Sequence, residues 1–157
     1  MAEAREDRFE VLWGSTEARL RRALVAAYGS DVGEEAFADA RAWAWEHLDR
    51  LEEMGNPSGY LWRVGQSSVR RTRRLERTAS RTVGSVDDTE RPAFEPALRR
   101  ALSSLSPRQR AAALLIHGYG YSLTEAAEVM GCRVRTLRNH LDRAMRRLQD
   151  AVGVHDV

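Results

Sequence analysis

Residues 122–148 read SLTEAAEVMGCRVRTLRNHLDRAMRRL and carry the sharpest signals for the start and end of helices in this chain. Ser122 and Glu125 have the spacing of a capping box, which predicts that a short helix begins there. Gly131 ends that helix, and after a short turn the apolar residues at spacings of three and four predict a longer helix over 134–151. Two helices joined by a short turn that contains glycine are typical of a helix-turn-helix motif, whose second helix enters the major groove of DNA.

The second helix of this motif carries residue types that read DNA. Because Val134, Leu137 and Leu141 are predicted to face inward, the outward face holds arginine, threonine and asparagine near the N-terminal end. Arginine can bridge guanine, and asparagine adenine, through paired hydrogen bonds. An ordinary amphipathic surface helix is the alternative interpretation. The candidate DNA-binding residues of the motif are Arg133, Arg135, Thr136, Arg138, Asn139, Arg143 and Arg147.

Helical spacing of apolar residues extends over nearly the whole chain, and no stretch alternates as a half-buried strand does. The sequence therefore predicts an all-α fold. Residues 78–92, rich in Ser, Thr, Gly, Asp and Pro, predict a flexible linker between two small helical domains, 1–77 and 93–157. Further helices are predicted over residues 9–28, 30–51, 57–77 and 107–117. The last three begin at capping residues: Ser30 and Asp31, the pair Asn56-Pro57, and a capping box at Ser106.

Charge is distributed unevenly, although the net charge is only +2 and all 25 lysine-or-arginine residues are arginine. Residues 1–59 hold 7 arginines and 13 acidic residues, net −6, and residues 60–81 hold 7 arginines and 1 glutamate, net +6. Residues 82–97 carry 1 arginine and 4 acids, net −3, and residues 98–157 carry 10 arginines and 5 acids, net +5. Two basic segments on either side of an acidic connector are expected where separate surfaces meet a polyanion; solvated helix faces are the alternative.

The helix predicted from Asn56 onward carries a polar stripe and two aromatic residues. Tyr60 and Trp62 can stack on unpaired bases or belong to the core, and the sequence does not separate the two. Residues at spacings of four, three and four positions form a stripe that can follow a phosphate backbone: Arg63, Ser67, Arg70 and Arg74.

Composition and motifs exclude several other classes of protein. No run of about 20 apolar residues is present to span a membrane, and the N-terminus lacks the pattern of a secretory signal, so we expect a cytoplasmic protein. The lone Cys132 cannot form an internal disulfide or a thiolate metal cluster. The histidines have no metal-ligand spacing, and neither a phosphate-binding loop nor a nucleophile elbow occurs. We therefore predict no enzyme activity, cofactor, metal, membrane association or small-molecule substrate.

Three ordered motifs of the second half, LSPRQR at 105–110, YSLTEAAEVMG at 121–131 and TLRNHLDRA at 136–144, resemble region four of a known family. That family is the bacterial extracytoplasmic-function sigma factors, two-domain initiation subunits of RNA polymerase. The resemblance implies that the helix-turn-helix residues given above bind the −35 promoter element. It also implies core RNA polymerase and promoter DNA as partners, and an anti-sigma factor as a further one.

The first half is similar to region two of the same family. Residues 34–48, from Glu34-Glu35 to Ala44-Trp-Glu-His-Leu48, resemble the helix that grips the polymerase, and residues 56–64, NPSGYLWRV, with the following arginines resemble the segment that opens the promoter. The resemblance implies polymerase contacts from Glu34, Glu35, Asp39 and Trp45. It implies contacts in the −10 region from Asn56, Ser58, Tyr60, Trp62, Arg63, Ser67, Arg70, Arg71 and Arg74.

The chain departs from the family pattern at a few positions. Ala38 stands where glutamine is usual, and Arg41 replaces an aromatic or apolar residue. Ser67 stands where asparagine is common in the helix that opens DNA, so we expect promoter melting to be weaker or differently tuned. Arg133 replaces a serine that often caps the recognition helix, so we expect one uncapped N–H group there at a cost of about 1 kcal/mol.

Two other classes of function compete with the sigma-factor hypothesis. A repressor or activator would use the helix-turn-helix for DNA and the N-terminal helices for dimerisation. A protein-interaction module held by an inhibitor is the third hypothesis. Binding to core RNA polymerase separates the sigma factor from the repressor, which has no need of it.

Overall fold

The computed structural model describes residues 1–79 and 96–153, and every element in these ranges is helical, which confirms the all-α prediction. A π-helical turn at Leu114–Gly118 continues one of the helices. The α-helices are α1 (Ala2–Tyr28), α2 (Ser30–Glu46), α3 (Leu48–Glu52), α4 (Pro57–Ala79), α5 (Pro96–Ser103), α6 (Pro107–Ala113), α7 (Leu123–Val129) and α8 (Val134–Val152).

Helix α1 begins at Ala2, seven positions before the predicted start at Phe9. The extra turns carry charged residues, so apolar periodicity gave no signal for them. They are attached to neighbouring helices by arginines instead. Arg5 donates to the carbonyl O of Trp45 at 2.6 Å, and Arg8 forms ion pairs with Asp49, at 2.6 Å, and with Glu52. The hydrogen bonds from Arg8 hold the pKa values of both carboxyl groups below their usual range.

The helix predicted to run unbroken to residue 51 is divided at His47. His47 adopts a non-helical conformation, φ −118° and ψ 30°, between α2 and α3. Its Nδ1 donates to the carbonyl O of Trp43 at 2.9 Å, and its ring stacks on the Trp43 ring with centroids 4.0 Å apart. The change of direction buries both Leu48 and Leu51 completely.

In the second half, both predicted capping boxes are confirmed. The Ser106 hydroxyl accepts from the N–H of Gln109, whose side chain accepts from the N–H of Ser106. The helix that follows ends in the π-helical turn rather than in an ordinary one, because the N–H of Tyr119 donates to the carbonyl O of Leu114. The wider turn brings Tyr119 and Tyr121 against α1, where Arg22 donates to the Tyr121 hydroxyl at 2.9 Å.

The two halves pack against each other around α1. Helix α1 contacts α2 and α4 of the first half and α6 and α7 of the second, and one buried cluster includes residues from both halves. Small side chains permit the approach of α1 to α6: Ala23 and Ala27 on α1, and Ala111 and Ala112 on α6, are all buried. Arg110 of α6 donates to the carbonyl O of Ala27 at 2.8 Å and so ties the second half to the end of α1.

The domain boundaries 1–77 and 93–157 stay a prediction. Thr78 and Ala79, which were assigned to the linker, belong to the last turn of α4. The rest of the predicted linker, 80–92, lies outside the described residues.

The capping box at α7 provides a test of local stability. The Ser122 hydroxyl accepts from the N–H of Glu125 at 3.1 Å, so Ser122→Ala should lower the free energy of unfolding by about 1 kcal/mol. Ser15→Ala is the matched control, because Ser15 is exposed within α1 and its hydroxyl only bonds the carbonyl O of Leu12. Urea denaturation at equal m-values measures both changes. Equal losses in the two variants would show that the cap does not stabilise the helix.

Candidate nucleic-acid interface

The turn between α7 and α8 has the geometry that the sequence predicted. Gly131 has a φ of 60°, the left-handed conformation that favours glycine. Arg133 occupies the N-cap of α8 without a side-chain capping bond, so the predicted loss of the cap is observed. Leu137 is completely buried beneath the motif. The two helices are therefore held as a helix-turn-helix, with the N-terminal turns of α8 at the surface.

The structure exposes every residue predicted for DNA binding on α8 and its N-cap. Arg147 also donates to the carbonyl O of Ser104 at 3.1 Å, which ties the far end of α8 to the turn before α6. Thr136 and Arg143 are exposed but also line a cavity each, and residues of α4 line the same cavities. The exposed residues are Arg133, Arg135, Thr136, Arg138, Asn139, Arg143 and Arg147.

Helix α4 begins as predicted, because the Oδ1 of Asn56 accepts from the N–H of Gly59 at 3.2 Å. Trp62 is only 1% exposed and belongs to the core, so the structure favours the core interpretation over base stacking for this residue. Tyr60 is half-buried against Trp43, with ring centroids 5.1 Å apart. Core packing therefore explains both aromatic residues that the sequence had left open.

The polar stripe of α4 is on the surface. Ser58, near the start of the helix, is half-buried, whereas the stripe residues and the neighbouring Arg71 are exposed. Arg73, also exposed, covers the ring of Tyr28 at 5.6 Å from its centroid. The exposed stripe consists of Arg63, Ser67, Arg70 and Arg74.

The start of α4 contacts the helix-turn-helix directly. The Nδ2 of Asn56 donates to the carbonyl O of Glu128 at 2.8 Å, and Arg63 donates to that of Gly131 at 3.1 Å. The backbones of Gly59 and Gly131 touch, because a Cβ atom added at Gly59 would lie 2.6 Å from the Cα of Gly131. We call this arrangement the closed form. It engages Asn56 and Arg63, two residues predicted to contact the −10 region.

A second set of contacts fixes α7 on α1. Arg19 forms an ion pair with Glu125 at 3.2 Å and lies over the ring of Tyr121. Hydrogen bonds with Ser122 lower the pKa of Glu125 from its usual value of 4.5, so this carboxylate stays charged at neutral pH. The helix-turn-helix is thus attached to the first half through α1 as well as through α4.

Parts of the two predicted DNA-binding surfaces line a common cavity in the closed form. A cavity of about 440 Å³ is lined by Arg63, Ser67 and Arg70 on one side and by Thr136 and His140 on the other. Arg108 at the start of α6 lines this cavity too, and sequence reasoning missed it because it lies outside the helix-turn-helix. Burial, followed by the charges of Arg108 and Arg143, lowers the pKa of His140.

The predicted polymerase-binding residues lie along α2, but two of its acidic residues also have structural partners. Glu34 is paired with Arg21 of α1 at 2.8 Å, and Asp39 accepts a hydrogen bond from Ser68 of α4. Glu35 is exposed, and Trp45 is 40% exposed at the edge of Phe9. The acidic face therefore also helps to hold α2 on its neighbours.

The unusual Arg41 of α2 covers aromatic rings. Its guanidinium lies 5.9 Å from the ring centroid of Phe9 and 6.0 Å from that of Trp13, at distances typical of cation–π contacts. A cation here shields the edge of the core that an apolar residue would otherwise cover.

Within residues 1–79 and 96–153, no group of three or more His, Cys, Asp or Glu side chains is placed to hold a metal ion. None of the helices described is both long and apolar enough to cross a membrane.

Known proteins match this chain over most of its length. Residues 96–148 match the family described as Sigma-70, region 4. The chain is 31% identical over 143 residues to the RNA polymerase sigma-E factor of Streptomyces avermitilis, across 88% of this chain and 71% of that protein. The RNA polymerase sigma-E factor of Streptomyces antibioticus is 28% identical over 143 residues, which again cover 88% of this chain and 71% of that protein.

Solved structures share the fold. The sigma factor RpoE from Bartonella quintana, in complex with the anti-sigma factor NepR, has a TM-score of 0.61 and 24% identity, across 94% of this chain and 98% of that one. CnrH, in complex with the cytosolic domain of CnrY, has a TM-score of 0.53 and 21% identity, across 94% of this chain and 89% of that one. The helical architecture is therefore shared with both.

The backbone contact between the two glycines predicts how the closed form can be opened. Gly59→Ala should push the start of α4 away from the turn before α8 and weaken the closed form, because the new methyl group would meet the backbone of Gly131 and the side chain of Asn56. Gly14→Ala is the control, since nothing lies within 4 Å of its added Cβ. The radius of gyration from X-ray scattering should rise for Gly59→Ala alone. An unchanged radius in both variants would mean that the contact does not maintain the closed form.

Proposed function

This chain belongs to the sigma-70 family of RNA polymerase sigma factors, in the extracytoplasmic-function group, and from that membership we propose how its two halves divide the work at a promoter. It is an alternative sigma factor that directs transcription initiation. In the proposal, α8 reads the −35 element, α4 captures the opened −10 element and α2 docks on core RNA polymerase. The observation that carries the proposal is the exposed arginine and asparagine face of α8 behind a helix-turn-helix.

Recognition of the −35 element rests on the first turns of α8. Arg138 and Asn139 are exposed and can form paired hydrogen bonds with guanine and adenine. Arg143 and Arg147 lie farther along the helix and act mainly on phosphates, which position the protein without reading sequence.

Capture of the −10 element rests on the arginine stripe of α4. The charge of residues 60–81, net +6 with 7 arginines and 1 glutamate, supports contact with a phosphate backbone. Arg70, Arg71 and Arg74 are exposed on this helix and supply that charge. Because Trp62 is buried, base capture here relies on the polar stripe.

Docking on the polymerase rests on α2. The exposed carboxylate of Glu35 and the half-exposed Trp45 combine negative charge with an aromatic anchor, as protein interfaces often do. Glu34 and Asp39 would extend that surface once it meets cationic residues of the polymerase.

The closed form must open before both elements can be bound. Promoter elements centred about 25 base pairs apart lie roughly 85 Å apart along B-DNA, at about 3.4 Å per base pair. In the closed form the start of α4 touches the turn before α8, so the two surfaces are far too close together. Core RNA polymerase supplies the scaffold on which the halves separate.

The proposal places all chemistry in the polymerase. The chain itself contributes positioning and strand capture, with neither catalytic activity nor a cofactor, and it works in the bacterial cytoplasm where polymerase and promoter are found. The two structural relatives are bound to an anti-sigma factor and to a cytosolic domain of CnrY, and we infer an anti-sigma factor as a further partner of this chain.

Run-off transcription tests the proposed function. Purified chain and core RNA polymerase are combined on promoters recovered by genome-wide binding, and transcripts that depend on the chain are expected. Absence of both transcripts and polymerase binding would favour the helix-turn-helix repressor. Relatives named as sigma factors over 88% of the chain do not favour that repressor.

Substitutions on α8 should separate the recognition of bases from the binding of phosphates. Arg138→Ala and Asn139→Ala should each reduce discrimination among −35 sequences by about 1–3 kcal/mol, because each removes a paired contact with a base. Arg147→Ala should instead weaken all sequences about equally. Competition binding with variant duplexes measures both effects. Uniform weakening by the first two variants would contradict their base-reading role.

Substitutions on α4 should reduce strand opening. Replacing Arg63, Arg70 and Arg74 together with glutamine should reduce binding to a bubble template and flatten the slope of log K against log salt by up to about 0.7 per lost contact. Permanganate footprinting in complex with core polymerase should show fewer reactive thymines around −10. If the triple variant opens the promoter as wild type does, the melting surface lies elsewhere.

A further inference from the structure

A cleft lies between α4 and the second half of the closed form. It consists of two adjoining cavities, of about 440 Å³ and about 360 Å³. Gln66, Arg70, Arg108 and His140 line both of them, so the two cavities are continuous. The larger one falls in the range of roughly 300–1,000 Å³ typical of small-molecule sites.

The charges around this cleft all have the same sign. Arg63, Arg70 and Arg73 reach it from α4, and Arg108 and Arg143 reach it from the second half. No aspartate or glutamate is among the lining residues in the described part of the chain. Closure therefore brings guanidinium groups from both halves together without a neighbouring carboxylate, and a bound anion would offset their repulsion.

The positive charge of these arginines also affects the pKa values of His140 and Cys132, which line the cleft. Arg108 and Arg143 lower the pKa of His140, after the larger effect of burial. Burial raises the pKa of Cys132, whereas the charges of Arg108 and Arg63 oppose that rise. The field of the arginines thus acts across the cleft, on side chains of the helix-turn-helix.

We propose that this cleft binds a linear polyphosphate of two or three phosphoryl groups, which bridges the two halves and holds the closed form. Arginine binds phosphate through paired, charge-assisted hydrogen bonds, and groups from both sides can reach successive phosphoryl groups. The apolar wall of Trp62, Met130 and Cys132 confines the site on one side. A ligand that needs arginines from both halves binds only when they are together.

A consequence for transcription follows, and it rests on the proposed function. Arg63 and Arg70 are assigned to the −10 strand, and Thr136 and Arg143 to the −35 duplex. Polyphosphate in the cleft therefore occupies the groups that promoter DNA requires. Bound polyphosphate would keep the sigma factor in its closed form until polymerase and promoter DNA displace the ligand.

Isothermal titration calorimetry with the full chain, without DNA, tests the site. Tripolyphosphate, pyrophosphate, ATP and sulfate are compared at constant ionic strength. Tripolyphosphate should bind more tightly than sulfate, and a comparison of tripolyphosphate with ATP distinguishes an inorganic ligand from a nucleotide. Arg70→Gln combined with Arg108→Gln should weaken binding about tenfold or more, because each removes a paired contact with phosphate.

The control combines Arg77→Gln with Arg146→Gln. These arginines are exposed on α4 and α8, outside the lining of the cleft. Their loss removes the same charge from the protein and should change the affinity less than about twofold, since only screened long-range attraction is lost. Equal weakening by the two pairs, or no binding of tripolyphosphate by wild type, would overturn the proposal.

A competition experiment separates this inference from the proposed function. Tripolyphosphate at saturation should reduce the affinity of the chain for a single-stranded −10 oligonucleotide by about tenfold. Binding of tripolyphosphate without competition would leave the site in place and overturn its coupling to promoter DNA. Failure of the chain to bind the oligonucleotide in the absence of tripolyphosphate would instead contradict the assignment of α4 to the −10 strand.

Discussion

The guanidinium group of Arg110 joins three segments of the chain where the two halves meet. Arg110 donates to the carbonyl oxygen of Ala27 at the end of α1, to that of Leu102 near the end of α5, and to that of Leu105 in the following turn. The last carbonyl groups of a helix have no partner within the helix, and a cation near them is favoured by the helix dipole. Arginine alone has a rigid fork with enough donors for all of these acceptors. Arg110 therefore fixes α6 on the end of α1, while Arg19 holds α7 on the same helix.

The elements with strong local signals were predictable. Capping boxes at Ser106 and Ser122 and the glycine at 131 located the helices of the second half, because caps and left-handed turns are decided by a few neighbouring residues. The first turns of α1 were missed, since their attachment by Arg5 and Arg8 involves partners some 40 positions away. The break at His47 was missed although its partners are close in sequence, because stacking on Trp43 and burial of the following leucines leave the apolar spacing of a continuous helix unchanged.

The candidate site was predictable as two separate surfaces but not as one cleft. Residue type and helical spacing located the arginines of α4 and the polar face of α8. The closed form depends on a contact between two glycine backbones, at residues 59 and 131, and such a contact leaves no periodic pattern in a sequence. Arg108 was missed for the same reason, because its position beside the cleft exists only when the halves meet.

The continuous core has a thermal consequence. Separation of the halves would expose apolar surface on α1 and α6, including Ala27 and Ala111, that the closed form buries. Exposure of apolar surface to water carries a positive change in heat capacity, and the hydrophobic effect weakens on cooling. The balance between the closed and open forms therefore varies with temperature along a curve, and cooling weakens the apolar contribution to closure. This temperature dependence of closure arises from the hydration of apolar surface and involves no side chain that is assigned to DNA.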